Sequence, residues 1–200
     1  MFPQSRPFNF SLSINSVTAL PRDWEDKFDI VHQRLLLTAL KAAEWPCAIA
    51  ELYRVLAPGG WIQLGEVGEW YAGPKTAHHR RLMRAVFESR ELLLDVSKQI
   101  PEFLSDAGFV EIHEEKRTMP LGSWQGTYGT DVRNNYSGAF RATKTPTLNA
   151  GGFGYVKTEE EFDRLLDEVV QEWDDTEDAG VIFHIFYARK PIIQSSIKST

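Results

Sequence analysis

Apolar and polar residues alternate along residues 8–17, which predicts a β-strand. One side of this segment carries asparagine or serine, and the other carries the apolar residues Phe8, Phe10, Leu12 and Ile14. Pro21 and the polar residues 22–27 end the segment. The apolar run at 28–32 then predicts a second, shorter strand.

The spacing of apolar residues becomes helical over residues 33–56, and this pattern ends at Pro58-Gly59-Gly60. Later in the chain, Thr158 and Glu161 predict a capping box for a helix that runs to Trp173. Three further strands, separated by helical segments, are predicted at 61–67, 109–114 and 180–188.

The region 119–157 is rich in glycine and threonine and also contains asparagine and tryptophan, and this composition predicts an irregular excursion. Its aromatic residues could either line a substrate site or form a small core of their own. They are Trp124, Tyr128, Tyr136, Phe140 and Phe153. The elements on either side alternate between strand and helix, which predicts an α/β fold with a mostly parallel sheet and helices on both faces.

The composition argues against several kinds of binding partner and cellular location. The chain has 200 residues, enough for one domain, and its net charge of -6 argues against nucleic-acid binding. No segment approaches the roughly 20 apolar residues of a membrane span. Cys47 is the single cysteine, so no disulfide can form within the chain. These features favour a cytoplasmic protein with a small-molecule partner, and they are equally compatible with the nucleus.

Two segments of the chain resemble a known family. "FDIVHQRLLL" (28–37) and "ELYRVLAPGGWIQLGE" (51–66) resemble the fourth and fifth strands of class I S-adenosylmethionine-dependent methyltransferases, in the fungal secondary-metabolism group that includes the LaeA-like proteins. "FYARKP" (186–191) resembles the last strand of that family, which is antiparallel. The resemblance implies an incomplete Rossmann-like methyltransferase fold, a single domain over 1–200, with the excursion at 119–157 on the substrate side.

The same resemblance implies where the cofactor should lie. Residues 8–17 correspond to the third strand of the family. The residues expected against the adenine ring are Asn15, Ser16 and Val17. Those expected at the methionine end are His32, Gln33 and Arg34.

Two other elements that hold S-adenosylmethionine in the family have no counterpart in the sequence. These are the glycine loop after the first strand and the acidic residue after the second strand. The glycine cluster at 151–154 has no predicted strand before it. The resemblance therefore implies an N-terminally truncated member of the family that binds S-adenosylmethionine weakly or not at all.

His32 and Glu66 are the candidate catalytic residues, because each ends one of two neighbouring parallel strands, where ligands bind in such sheets. Either side chain could take a proton from an acceptor atom. Alternatively, His32 could be satisfied by backbone groups, and Glu66 could pair with Arg34 or be solvated. His78 and His79 have no ligand-type residue one turn away, which predicts a solvated helix face and no metal site.

Three functions are compatible with these features, and the sequence leaves open whether the chain is an enzyme. The first is methyl transfer from S-adenosylmethionine to an oxygen or nitrogen atom of a small molecule, if the cofactor site is completed. The second is catalysis without S-adenosylmethionine, for example by an isomerase or a cyclase. The third is a non-catalytic binding subunit. Missing strands would leave an open sheet edge, which predicts a homodimer or a partner chain that completes the fold.

Overall fold

A computed structural model describes residues 7–192, so residues 1–6 and 193–200 of the predicted domain lie outside the described part. Four strands form one sheet in the order β1-β2-β4-β3. β1 and β2 are parallel, and β4 is antiparallel to both of its neighbours. The predicted α/β class, the pairing of the second and third predicted strands and the antiparallel last strand are therefore confirmed. The strands are β1 (Phe28–Arg34), β2 (Leu56–Tyr71), β3 (Val110–Pro120) and β4 (Gly180–Arg189).

Six α-helices connect the strands. α1 lies between β1 and β2, α2 and α3 lie between β2 and β3, and three helices lie between β3 and β4. The helices are α1 (Glu44–Val55), α2 (Pro74–Ser89), α3 (Ile100–Asp106), α4 (Gly126–Arg141), α5 (Lys144–Asn149) and α6 (Glu159–Asp175). Short 3-10 turns lie at Arg22–Trp24, Val96–Lys98, Ser123–Gln125 and Gly151–Gly154.

The helix predicted from residue 33 begins only at Glu44. β1 continues to Arg34, and Leu35 then adopts a positive φ of 60°, which a helix cannot contain. Pro46 lies in the first turn of α1, where its missing N–H breaks no hydrogen bond. Beyond the end of α1, Gly59 adopts a φ of 84° within β2, where the register with β1 shifts between Leu56 and Trp61.

One face of the sheet is covered by α1 and α3, and their shared apolar cluster is called the sheet core. Its fully buried members include Trp45, Ile49, Leu64, Leu104 and Phe186. Leu64 and Phe186 are opposite each other on β2 and β4, so their side chains point to this face. The neighbouring pair, Gln63 and Tyr187, points to the other face. Within residues 7–192 no helix of the sheet core lies on that face, but α4 lies above it at the carboxyl ends of the strands. Helices therefore lie on both faces, as predicted, although on this face only at that edge.

A second cluster, the cap core, lies where the carboxyl ends of the parallel strands meet the helices that follow them. α2 and α6 supply most of it, and its fully buried members include Leu82, Met83, Phe162, Leu166 and Trp173. Thr158 caps α6 by accepting a hydrogen bond from the backbone N–H of Glu161, so the predicted helix start is confirmed. The helices α2, α4, α5 and α6 together are called the cap.

The strand predicted at 8–17 is wrong. This segment pairs with no other strand within residues 7–192, and the only bridge nearby joins Ser16 to Ala19. Phe8 and Ile14 are almost fully exposed. Alternation produces a strand only where one face is buried and a neighbouring strand satisfies the backbone, and this segment has neither.

The prediction of irregular structure at 119–157 is also wrong. The region contains α4, α5 and two 3-10 turns. Glycine, threonine and asparagine have weak intrinsic helix propensity, but tertiary contacts with the rest of the cap override that preference here. Whether the region lies on the substrate side is a separate question of function.

Candidate functional site

The carboxyl ends of β1, β2 and β3 lie at one edge of the sheet, because these three strands are parallel to one another. Ligands of open α/β sheets bind in the crevice outside this edge. A cavity of about 370 Å³ and another of about 600 Å³ open there, and the larger one lies between the sheet and α4. The larger cavity is called the α4 cavity, and it is the candidate functional site.

One face of α4 forms the roof of the α4 cavity. Its lining residues recur every three or four positions, which places them on the same side of a helix. They are Tyr128, Asp131, Val132, Asn135, Tyr136 and Ala139. The sheet supplies the floor through residues of all four strands and the loop after β1: Arg34, Leu35, Val67, Met119 and Phe183. The walls are therefore mostly apolar and aromatic, as in sites for small organic molecules.

Two charged side chains line this cavity from opposite sides. Arg34 lies at the end of β1, and Asp131 lies on α4. Within the described part of the chain neither residue forms an ion pair, whereas Arg133 and Arg141 of the same helix pair with aspartates of α6. Arg34 and Asp131 are thus available to polar groups of a bound molecule.

Tyr136 provides an uncharged polar group in the same wall. It is half-buried, and burial raises the pKa of its hydroxyl to about 12. The hydroxyl therefore remains protonated at neutral pH and can donate a hydrogen bond to a ligand atom. Tyr128 and Tyr136 line the cavity, and Tyr136, Phe140 and Phe153 pack against the cap core.

Glu66 is fully buried and binds the loop that follows β1. Its carboxylate accepts hydrogen bonds from the backbone N–H groups of Leu36 at 2.7 Å and Leu37 at 3.3 Å. Burial raises the pKa of Glu66 to about 7, although these backbone hydrogen bonds act in the opposite direction. Glu66 does not end its strand, as the sequence predicted, because β2 continues to Tyr71. Nor does it pair with Arg34 or lie in solvent.

The three residues at the end of β1 alternate between the two faces of the sheet. Gln33 is buried on the face of the sheet core, opposite Leu64, and neither end of its amide has a hydrogen-bond partner in residues 7–192. His32 and Arg34 point to the other face. Both are exposed, but only Arg34 lines the α4 cavity.

The predicted adenine contacts lie on the irregular segment before β1 and away from the α4 cavity lining. Asn15 donates a side-chain hydrogen bond to Ser13, and Ser16 bonds to Thr18, so their polar groups are used locally. Val17 is half-buried and packs against the sheet core. The described residues therefore do not bring these three positions together with Arg34.

His79 is a buried residue, and the solvated face predicted for His78 and His79 holds for His78 alone. His79 lies against the rings of Trp70 and Phe140, and neither of its ring nitrogens has a hydrogen-bond partner in the described part. Burial lowers the pKa of His79 to about 4, so the ring is neutral at pH 7. Helical spacing could have found it, since it is four residues before the buried Met83.

The described residues contain neither a cluster of metal-ligand side chains nor a membrane-spanning helix. Within 7–192, no three histidine, cysteine, aspartate or glutamate side chains are grouped as they would be around a metal ion. No helix in the same range combines the length and the apolar character needed to cross a membrane.

Several fungal proteins are similar to this chain. No protein-family model matches it. The N-methyltransferase tcpN of Claviceps purpurea is 30% identical over 194 residues, which cover 86% of this chain and 66% of tcpN. The N-methyltransferase sirN of Leptosphaeria maculans is 26% identical over 96% of this chain and 70% of sirN. The secondary metabolism regulator laeA of Aspergillus fumisynnematus is 25% identical over 95% of this chain and 52% of laeA. The chain thus spans only part of the length of each relative.

Proposed function

Because the chain belongs to the class I S-adenosylmethionine-dependent methyltransferases, in the fungal secondary-metabolism group that includes laeA, we propose that it transfers a methyl group to a nitrogen or oxygen atom of a small molecule. The observation that carries the proposal is the α4 cavity, which lies at the ligand-binding edge of the sheet. The names of tcpN and sirN favour nitrogen as the acceptor atom.

The α4 cavity is proposed to hold the methyl acceptor. Its volume of about 600 Å³ is within the range of sites for drug-sized ligands. Its apolar and aromatic walls would exclude water and orient a ring system, while Asp131 and Tyr136 would contact polar atoms. Positioning of this kind is the main contribution a protein makes to methyl transfer, because the two reacting groups must be held in line.

The residues at the end of β1 fit one end of S-adenosylmethionine, which would supply the methyl group when bound. Arg34 has a guanidinium without an ion-pair partner in residues 7–192, and it could hold the methionine carboxylate. The buried amide of Gln33 adds an unused donor and acceptor to the same strand end. Asn15, Ser16 and Val17 are proposed as a weak adenine contact, because their polar groups already bond locally. We therefore propose weak cofactor binding by the chain alone.

The two predicted catalytic residues are proposed to act differently. His32 lies on the same face of β1 as Arg34, two residues earlier, and it is exposed and could take the proton that the acceptor atom loses. Glu66 is a positioning residue, because its carboxylate is bound to the loop that carries Leu35 into the cavity floor. The proposal thus assigns proton transfer to His32 and loop geometry to Glu66.

Filling the α4 cavity tests the proposal. Ala139→Phe adds a ring to an exposed residue of the lining, whereas Ala142→Phe adds the same ring to an exposed residue outside it. Tritiated S-adenosylmethionine would be incubated at millimolar concentration with each variant and a panel of aromatic amines and phenols. Ala139→Phe should abolish tritium transfer, and Ala142→Phe should retain it. Equal transfer by both variants would place the acceptor elsewhere.

Calorimetry with S-adenosylhomocysteine tests the proposed weakness of the cofactor site separately. The chain should bind this product with a dissociation constant in the millimolar range, because charge-assisted contacts of about 1.5 to 3 kcal/mol each are missing. A low micromolar constant would overturn the weak-binding proposal while leaving the acceptor site intact.

A further inference from the structure

A second cavity, of about 370 Å³, lies on the other side of the β2–α2 connection and shares no lining residue with the α4 cavity. It is called the arginine cavity. Four basic side chains line it together with two aromatic residues of β2. These residues are Trp70, Tyr71, Arg80, Arg81, Arg84 and Lys98.

The basic residues outnumber the carboxylates that neutralise them. Arg80 pairs with Glu69 and Asp95, and Arg84 pairs with the same Asp95 at 2.6 Å. Arg81 and Lys98 form no ion pair with a carboxylate within residues 7–192. Glu88 also acts on Arg84, so four basic residues face three carboxylates, and one positive charge is in excess around a cavity of a chain whose net charge is -6.

The charges around this cavity are held in place by packing. Arg80 is only 11% exposed, and its guanidinium lies 5.3 Å from the ring centre of Trp70. Burial alone would raise the pKa of Asp95, but Arg84, Arg80 and Lys98 together hold that pKa below its ordinary range. Asp95 therefore stays ionised and orients the two arginines towards a common region.

Two buried donors among the residues that line this cavity have no acceptor in the described part of the chain. They are the indole N–H of Trp70, a residue that is 4% exposed, and the Nε–H of Arg80. A buried donor without an acceptor is costly, and an oxygen-rich ligand would relieve that cost. The cavity thus combines excess positive charge with unsatisfied donors, and both features select for an anion.

We propose that the arginine cavity binds a small organic phosphate, with the phosphate between Arg81, Lys98 and the buried donors of Arg80 and Trp70. A phosphate group attracts the excess positive charge and offers several acceptor oxygens to guanidinium groups. The organic part would lie against Tyr71, whose side chain is 38% exposed at the cavity wall. The site is separate from methyl transfer and does not depend on the proposed function.

Titration of the ¹⁵N-labelled chain with inorganic phosphate and with phenyl phosphate tests this site. Saturable shifts of the Trp70 indole N–H, identified with Trp70→Phe, are expected with both probes. Phenyl phosphate should bind several-fold tighter if an organic phosphate is the ligand. Equal affinity would assign the site to the phosphate group alone and overturn the organic part of the proposal.

Charge variants provide the control for these titrations. Arg81→Ala and Lys98→Ala should each weaken binding about threefold, since exposed charges contribute little individually, and the double variant about tenfold. Arg90→Ala removes an exposed positive charge at the end of the same helix but outside the cavity, and it should leave affinity unchanged. If all three single variants weaken binding equally, or if no saturable shift of Trp70 occurs, the cavity is not a phosphate site.

Discussion

The two long helices between β3 and β4 have almost the same length but bury their residues very differently. α6 has 17 residues and buries Phe162, Leu166, Val169 and Trp173, which lie one above another along a single face. α4 has 16 residues, and the one residue that it buries fully is Gly129. α4 instead packs partly buried side chains against the cap core, and two of them, Val132 and Tyr136, also line the α4 cavity.

This difference shows what a helix looks like when it forms the wall of a cavity. α6 is stabilised by burial, so its sequence has the apolar periodicity of a core helix. α4 is held to α6 by salt bridges, which join Arg133 to Asp174 and Arg141 to Asp167. Its cavity face keeps polar residues such as Asp131 and Asn135, which a core helix would not carry. Full burial is thus concentrated in α6, whereas α4 carries most of the helical lining of the cavity.

Truncation of an aromatic residue on each helix should expose this contrast most strongly. Phe162→Ala removes a fully buried ring from α6 and should lower the free energy of unfolding by about 3 to 5 kcal/mol. Tyr128→Ala removes a ring that is 58% exposed on α4, and it should change the free energy of unfolding by about 0.5 kcal/mol or less. Urea unfolding followed by circular dichroism measures both. Similar losses for the two variants would refute the division of roles.

The floor of the α4 cavity provides a second test, because it depends on the charge of Glu66. The pKa of Glu66 is raised from 4.5 to about 7 in the folded chain, so folding favours the protonated form. The stabilisation is fully present below pH 4.5 and is lost as the pH rises to 7. At about 1.4 kcal/mol per pH unit, the loss amounts to about 3 kcal/mol.

Glu66→Gln should remove this pH dependence while keeping an oxygen near Leu36. The free energy of unfolding, measured from pH 4.5 to pH 8, should fall more steeply for the wild-type chain than for the variant. Parallel curves would show that Glu66 titrates in the folded chain as it does in the unfolded chain.

The parts of the fold that the sequence predicts are those whose signals are local. The end of α1 before Pro58-Gly59-Gly60 and the cap of α6 follow from residues adjacent in the chain, whereas the β1–β2 pair follows from the family resemblance. The sequence alone predicts a helix where the loop after β1 lies, because the leucines at 35–37 fit the apolar spacing of a helix. The structure shows that this prediction is wrong. What fixes that loop is Glu66, a carboxylate about 30 residues away, and no local pattern reveals such a contact.

The candidate site follows the same rule. Arg34 could be named from the sequence, because the end of a parallel strand is a known place for ligands. Asp131 could not, since it lies on α4, in a region whose composition predicts irregular structure. The segment with the clearest alternation, at 8–17, forms no strand in the described part, because alternation specifies a face but not a partner.

The first residues of α6 and α4 can also be compared, and substitutions there should change the free energy of unfolding less than Phe162→Ala does. Thr158→Ala removes the hydroxyl that accepts from the backbone N–H of Glu161, and it should lower the free energy of unfolding by about 1 kcal/mol. Thr158→Ser keeps an acceptor and should restore most of that loss. α4 has no side chain that caps its start, so Gln125→Ala should have a smaller effect. Thermal unfolding of the three variants would reveal whether the cap of α6 matters as expected.

The smallest effect on the free energy of unfolding is expected at the outer edge of β1. Within residues 7–192 β1 pairs on one side only, and Ile30 on this strand is 70% exposed. We propose that two copies of the chain associate through this edge, because unpaired strand edges with apolar side chains readily pair. Ile30→Lys should change the free energy of unfolding by about 0.5 kcal/mol or less.

The same substitution should shift the chain from dimer to monomer in sedimentation velocity at micromolar concentration, because a lysine on an edge strand opposes pairing. Thr38→Lys provides the matched control, since it adds the same charge to an exposed residue of the loop after β1. If the wild-type chain sediments as a monomer, or if both variants dissociate the dimer equally, the edge of β1 is not the contact. Unlike the exposed face of α4, which the proposed methyl acceptor would cover, the edge of β1 would then be open to pairing with a different polypeptide.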